Sequence, residues 1–593
     1  MWSERGPERK NPECKEMAKD SAVNHAAPAA GLLGPPGGGD FNAFDGDQNL
    51  RRLLRRRAPR LLDDHGARLS SFGFWVGGPL EAQAVYSDRD APPRLAAFGP
   101  DDELLGRVIR NPAYDACHAE AYRRGAIGLA HGPEAAGHLI SFVMGYMLSQ
   151  SDISIHCPVT MTGAVAHVLD RLAPAKLRDA YLPALIRMDG AAVSAGTWAT
   201  EIHGGSDVGA TATEARPDGD AWRLTGLKWF ASNAGGGLAM ATARPTGAPT
   251  GGKGPGCYLV PDPLPDGTPN RLWVRRLKDK LGTRALATGE IELDGAWALE
   301  IAGPPHGIKA MMEALEYSRV HNAMAACAVQ RRAFREALAW STGRVAFDQA
   351  ISAYPMVRDT LLDMVAELEA CLALAMESAL AFDAAQVDSA LADHDARAWL
   401  RTATALAKCR TAEEGARAAA RALELVGGNG YTEEWPTARL YRDAMVLPVW
   451  EGPGNIQALE LLRATIGKLR GDRAFLTRVG AVADGLPAAL ATEAAALRDA
   501  NDRAAAALAY LRKNPTEGPR HARRLLDLMA DTLCAALLLE AAGADLAKGD
   551  KRKALVARRY LAPRLERAGA IDGTLDPAHA AFEAIVNYRA IDA

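Results

Sequence analysis

Cysteine is scarce and scattered in this chain of 593 residues. The eight positions are Cys14, Cys117, Cys157, Cys257, Cys327, Cys371, Cys409 and Cys534, with no CxxC pair and no paired spacing. That pattern excludes a zinc ribbon, an iron–sulfur site and a disulfide framework. Long hydrophobic runs are missing too. No stretch of 18 apolar residues occurs, so no transmembrane helix is expected. The N-terminus mixes both charges around Arg5 and Glu13 and lacks the apolar core of a secretory signal. Neither sign of charge dominates: 69 Lys+Arg stand against 72 Asp+Glu, for a net charge of -3. Such a balance does not point to nucleic acid or an anionic membrane as the main partner. The histidines at 118, 131, 138, 156, 306 and 321 form no recognisable metal-ligand motif, and no metal is expected. Repeats and sustained heptads are also absent. The reading is a soluble, cytoplasmic protein with no membrane partner.

What is present is ordinary globular material, 48% apolar and 24% charged. At about 150 residues per domain the length suggests roughly four domains. Residues 1–40 read as a disordered tail, because the run Ala26 to Gly39 is mostly Ala, Gly and Pro. Residues 41–190 read as an N-terminal α domain, with helices expected over Arg51 to Leu62, Ala135 to Leu148, Ala164 to Leu172 and Leu177 to Ile186. Residues 191–305 read as a middle antiparallel β domain, where short β-branched runs alternate with Gly, Pro and Asp clusters. Residues 306–468 form a helical bundle, with one stripe through Val357 to Leu372 and another from Trp399 to Val426 that stops at Gly427-Gly428. Residues 469–593 add an extra C-terminal helical region. The expected class is α+β and multidomain.

Four segments stand out. Thr200 to Asp207 places a Gly-Gly turn among hydroxyls, which suits an anion or a polar ring edge. Gly226 to Asn233 carries Phe230 and Ser232, two apart on one strand face, a pair able to back a planar cofactor. Gly427 to Tyr431 precedes Arg442-Asp443. Trp450 to Asn455 sets a carboxylate between a Trp and a Gly-Pro-Gly loop, where desolvation raises its pKa and suits a general base. Taken singly, these also fit a turn, a core strand, a helix stop and an exposed loop.

Together and in this order they resemble the acyl-CoA dehydrogenase flavoproteins over about residues 100–468. The matching residues are Thr200, Glu201, Gly205, Ser206 and Asp207; Gly226, Lys228, Phe230 and Ser232; Arg344 and Phe347; Gly427, Gly428, Gly430 and Tyr431; Arg442, Asp443, Glu451 and Gly452. Arg276 to Gly282, Pro355 to Arg358 and Cys157 to Thr162 look like the AidB-type branch, whose extra C-terminal helices would account for residues 470–593.

The resemblance implies FAD and α,β-dehydrogenation of an acyl-CoA. Glu451 would remove the α proton, while its backbone N–H steadies the thioester oxygen. Thr200, Gly205, Ser206, Phe230 and Ser232 would meet the flavin, with Gly452 and Asn455 completing the cofactor loop. Ser206, Glu316 and Arg319 fall at positions associated with the acyl-CoA. Arg344, Phe347, Glu424, Gly427 and Gly428 fall where a neighbouring subunit holds the FAD pyrophosphate and adenine, which implies a homo-oligomer, a dimer of dimers. Glu424 and Asp348 add acids close to that diphosphate. An electron-transfer flavoprotein would take the electrons.

Two alternatives remain at this stage. One is a stress-response flavoprotein of AidB type with weak catalysis and DNA binding. Residues 471–593 hold 18 basic and 16 acidic side chains, with one basic run at Lys551, Arg552, Lys553, Arg558, Arg559, Arg564 and Arg567. The other is an acyl-CoA sensor without turnover.

Overall fold

The computed structural model describes residues 41–132, 135–386, 394–565 and 577–591. The expected tail at 1–40 and Arg567 lie outside these. The first helix, Gln48–Arg57, starts where the Asp47 carboxylate accepts the Leu50 amide at 3.0 Å. It ends at Ala58, and a new helix runs over Pro59–Trp75. The single helix expected from Arg51 to Leu62 is therefore broken. Pro59 has no N–H to give its own turn and fits best at the first position of the next helix. Helices over Leu139–Ser151, Ile153–Leu172 and Ala175–Leu185 follow, the second capped by Asp152 through the Ser154 and Ile155 amides. Every residue of Leu139–Ser151 is buried, so this helix is wrapped on all sides. A small hairpin, Arg94–Phe98 with Leu104–Ile109, had no counterpart in the sequence reading.

The middle of the chain forms a seven-stranded sheet from Ser194–Trp198 to Thr288–Ala302. Most neighbours are antiparallel, as expected. Two pairings are not: Ser194–Trp198 and Glu214–Asp218 both run parallel to Gly237–Pro245. Parallel neighbours cannot be joined by a tight hairpin. The first two strands both run along Gly237–Pro245 in its own direction, and the chain between them makes a long excursion, 199–213, which carries the Thr200 to Asp207 segment.

One irregularity in the sheet sets the face used below. Strand Ala221–Ser232 pairs with Thr288–Ala302, and the register shifts between Lys228 and Ala231. Strict alternation would put Lys228, Phe230 and Ser232 on one face. The bulge breaks that parity, turning Lys228 and Ala231 inward and Phe230 outward with Ser232.

Long helices close the structure: Gly307–Gly343, Pro355–Ala384 and His394–Val426, then Pro436–Ala444 and Gly454–Thr465. The His394–Val426 helix stops where Gly427 takes a φ of 77°, the left-handed stop expected there. The last quarter adds helices at Gly471–Gly485, Ala491–Lys513, Gly518–Leu546 and Arg552–Leu561. One continuous core joins Leu50, Phe142 and Tyr317 to Leu368, Leu461, Leu533 and Leu561. The last quarter thus packs into the bundle itself.

Packing also absorbs the basic run. Arg552 and Lys553 are buried on Glu369, Arg558 pairs with Glu493, Arg559 with Asp359 and Asp363, and Arg564 with Glu367 and Asp531. Expected as a duplex-binding patch under the DNA alternative, it is instead the seam between two helical layers. Compensated cations of this kind offer little to a phosphate backbone.

Candidate active site

The turn 445–453 joins two helices and carries Trp450 and Glu451. Trp450 packs on Cys157, Met161 and Leu286, a small cluster that links the Ile153–Leu172 helix to the sheet domain. Glu451 sits in the left-handed region at a φ of 58°, and Gly452 follows at 93°. A non-glycine residue there costs about 1–3 kcal/mol and persists only where its surroundings hold it.

They do hold it, through carbonyl oxygens. Arg319 Nε donates to the Glu451 carbonyl at 3.0 Å. Gln457 Nε2 donates to both the Glu451 and Gly452 carbonyls, each at 3.0 Å. Lys408 Nζ donates to the Gly452 carbonyl at 2.7 Å, and Asn322 Nδ2 to that of Leu447 at 3.2 Å. Hydrogen bonds from charged donors contribute about 1.5–3 kcal/mol each. Two of them match the strain of the turn.

The Glu451 amide donates to no group among the described residues. Glu451 Oε2 is likewise buried with no hydrogen-bond partner. Burial pushes this carboxyl above its ordinary range, while Arg319 and Lys408 pull it down. A Cβ on Gly452 would come within 2.7 Å of Gln457 Nε2, at a φ that disfavours any side chain. Gly452→Ala should therefore lower stability by roughly 1–3 kcal/mol, read as a fall in the denaturant midpoint. An unchanged midpoint would mean that the turn can relax.

Facing this turn is the sheet domain. Trp229 N–H donates to the Thr200 carbonyl at 3.0 Å, which lays Thr200 beside the bulge. Phe230 is 55% exposed, and Ile202 is exposed nearby in sequence to Thr200. Ser232 Oγ lies 3.2 Å from Thr288 Oγ1, which in turn accepts from Lys280 Nζ at 3.0 Å. The Cys157 thiol, pushed up to about 12 by burial, lies within electrostatic reach of both Lys280 and Glu451. Ser232, Thr288 and Lys280 are thus joined by hydrogen bonds, and the Cys157 thiol senses the charges of both Lys280 and Glu451.

Gly205 and Ser206 lie exposed on the same excursion as Thr200, and a Cβ on Gly205 would meet Thr200 Oγ1 at 2.5 Å. Gly452 is half-buried and Asn455 exposed at the start of the next helix. Glu316 and Arg319, read as contacts to the acyl-CoA, are buried beneath the turn, 3.7 Å apart, and Arg319 serves the Glu451 carbonyl instead of an open surface.

Other residues gather elsewhere. Gly415 packs on Ala326, so the Gly307–Gly343 and His394–Val426 helices run side by side. Arg344 is 25 residues beyond Arg319, roughly 37 Å along the helix, and Glu424 is roughly 24 Å beyond Lys408. Arg344, Phe347, Asp348, Glu424, Gly427 and Gly428 are all exposed, Phe347 to 90%. Within one chain they do not join the Glu451 site.

Four motif residues are structural. The Lys228 ammonium donates to Glu201 Oε1 at 2.7 Å with no solvent exposure, and Glu201 also accepts from Thr213 Oγ1 and the Ala212 amide. This buried pair pins the 199–213 excursion to the sheet. Arg442 and Asp443 act similarly: Arg442 pairs with Asp88 and Glu433, and Asp443 accepts the Thr283 amide at 2.6 Å. Sequence reading missed Lys280, Lys408 and Gln457, which become site residues only through contacts over long chain separations. Among the described residues no cluster of three or more His, Cys, Asp or Glu could hold a metal.

Residues 305–466 match the C-terminal domain of acyl-CoA dehydrogenases, 196–296 their middle domain, and 34–189 the N-terminal domain of the adaptive response protein AidB. The Escherichia coli K12 protein AidB is 32% identical over 409 residues, covering 67% of this chain and 73% of its own length. Acyl-CoA dehydrogenase family member 11 of Caenorhabditis elegans is 30% identical over 441 residues, 72% of this chain and 71% of that one. The crystal structure of C. elegans ACDH-11 in complex with C11-CoA superposes with a TM-score of 0.83 at 26% identity, covering 92% of this chain and 95% of that one.

Proposed function

Because this chain belongs to the acyl-CoA dehydrogenase family, in its AidB-like branch, we propose that it oxidises an acyl-CoA thioester between its α and β carbons, with Glu451 as the base. The family is one of FAD-dependent oxidoreductases acting on CH–CH bonds. The residues here fit that cofactor: the bulge leaves Phe230 largely exposed on the strand that carries Ser232, with Thr200 beside it and the Lys278 ammonium 4.9 Å from its ring, and the turn after the bundle helix supplies a buried carboxyl oxygen. Thr200, Gly205, Ser206, Phe230 and Ser232 would hold the ring system, and Gly452 and Asn455 the loop beside it. When bound, FAD supplies the acceptor for the β hydrogen as hydride.

The rest of the chemistry falls to the protein. Glu451 takes the α proton on its carboxylate. Its unengaged backbone N–H donates to the thioester oxygen, where negative charge grows as the proton leaves. The buried setting raises the proton affinity of the carboxyl toward that of a useful base. The single observation carrying this reading is the pairing of an unpartnered buried carboxyl with an unengaged amide on one strained residue. The exposed set at the far end of the bundle, Arg344, Phe347, Glu424, Gly427 and Gly428, would serve the cofactor of a neighbouring copy in a homotetramer. An electron-transfer flavoprotein would reoxidise the enzyme, and fatty acid metabolism in the cytoplasm is the setting proposed.

Anaerobic titration of the FAD-loaded protein with butyryl-, octanoyl- and lauroyl-CoA tests the proposal. Bleaching of the flavin by at least one thioester is expected. Tight binding without bleaching would identify a sensor, and a protein that takes up no FAD would defeat the reading altogether.

A further inference from the structure

Lys408 lies in the middle of the His394–Val426 helix, 1% exposed. A buried ammonium must find partners or lose its proton. Its partners are the Gly452 carbonyl at 2.7 Å and, at 3.5 Å, that of Pro448. Both belong to the turn that carries Glu451. The charged and titratable groups around it are Cys409 and Glu413 on its own helix, Arg319 on the Gly307–Gly343 helix and Glu451 on the turn. Its charge is thus spent on that turn.

We propose that Lys408 is a positioning residue for the base: its ammonium ties down the Gly452 carbonyl, which helps hold the left-handed pair Glu451-Gly452 in place, and its charge favours the carboxylate form of Glu451. The inference rests on the reading of Glu451 as the base. Three groups tether the two consecutive left-handed residues, and they differ in kind. Gln457 is neutral. Arg319 is a guanidinium. Lys408 alone can lose a proton near neutrality, since burial brings it down to about 8. Deprotonation would remove the charge that steadies the carboxylate, and with it the strongest donor to Gly452. Activity should therefore show an acid limb belonging to Glu451 and an alkaline limb belonging to Lys408.

The experiment uses the full-length, FAD-loaded protein and octanoyl-CoA, with single-turnover flavin bleaching followed from about pH 4 to 9.5, from below the ordinary carboxyl value to above that of Lys408. Lys408→Met should retain FAD, lower the maximal rate about tenfold or more, and move the acid limb upward by about one pH unit, with octanoyl-CoA affinity changed less than about threefold. Lys408→Arg keeps the charge without the titration, so its rate should stand near the parent's and its alkaline limb should vanish. A folded, flavin-bearing Lys408→Met with an unmoved acid limb overturns the inference. So does an alkaline limb that persists in Lys408→Arg, and this second arm decides the matter if the Met variant does not fold. The base reading is judged separately: Glu451→Gln bleaching at the parental rate would remove it, whatever the Lys408 variants do.

Discussion

Glu451→Gln should slow flavin bleaching by acyl-CoA by roughly a thousandfold, within the range by which a lost general base slows proton transfer. The substitution removes the proton acceptor and little else. Arg319, Gln457 and Lys408 grip the carbonyl oxygens of the turn, and none of the three donates to the carboxyl. The left-handed turn and the packing of Trp450 on Cys157, Met161 and Leu286 should both persist. FAD content and octanoyl-CoA binding should accordingly stay near those of the parent, and the loss should appear in the rate of reduction. Stopped-flow absorbance under anaerobic conditions reads it directly. Parental bleaching by the Gln variant would transfer the base to another group.

The second large effect is on stability. Glu369→Ala should destabilise the protein by about 3–5 kcal/mol, the usual consequence of leaving buried charge without its partner. Glu369 lies at the centre of a buried triad: Arg552, with no solvent exposure, donates to Oε1 at 2.6 Å, and Lys553 holds Oε2. These contacts join the Pro355–Ala384 helix to the Arg552–Leu561 helix. Glu369→Ala would strand both cations in the core. The two cations hold the carboxyl at about 2, well below its ordinary 4.5. A depressed carboxyl contributes stability in full above its unfolded value and loses it as pH falls through the folded one. The triad should therefore hold undiminished at pH 7 and weaken between about pH 4.5 and 2, and the variant should lack that part of the acid transition. Chemical denaturation at pH 7 and pH 4 measures both. A midpoint within a few tenths of a kcal/mol of the parent's would mean that the last helices contribute nothing to the fold.

The motifs made the site legible, and periodicity the helices. Glu451, Phe230 and Ser232 could be marked because local chemistry distinguishes them: a carboxylate in a glycine-rich turn, and a ring and a hydroxyl two apart on a strand. The bulge that gives Phe230 its outward direction could not be read, since it arises from pairing with a strand about 60 residues away. Nor could the jobs of Arg319, Gln457 and Lys408, whose contacts to the turn depend on how three helices meet. The pairing of the basic side chains from Arg552 to Arg564 could not be read for the same reason. Composition counts charges, but the acids that neutralise these reside on other helices, at Asp359, Asp363, Glu367, Glu369 and Glu493. The parallel pairings of the sheet were hidden because alternation within a strand carries no information about its neighbour's direction.

Arg523 comes from the Gly518–Leu546 helix and grips Glu413 through two bonds of 2.5 and 2.6 Å, lying so close to Gly454 that a Cβ there would collide with it. Gly454 opens the helix directly after the Glu451 turn, and Glu413 sits one turn past Lys408. The far end of the polypeptide is thereby a keystone over the reaction centre. Heat should accordingly silence turnover and release the final helices in one event, with no temperature window in which a trimmed, still-active enzyme survives.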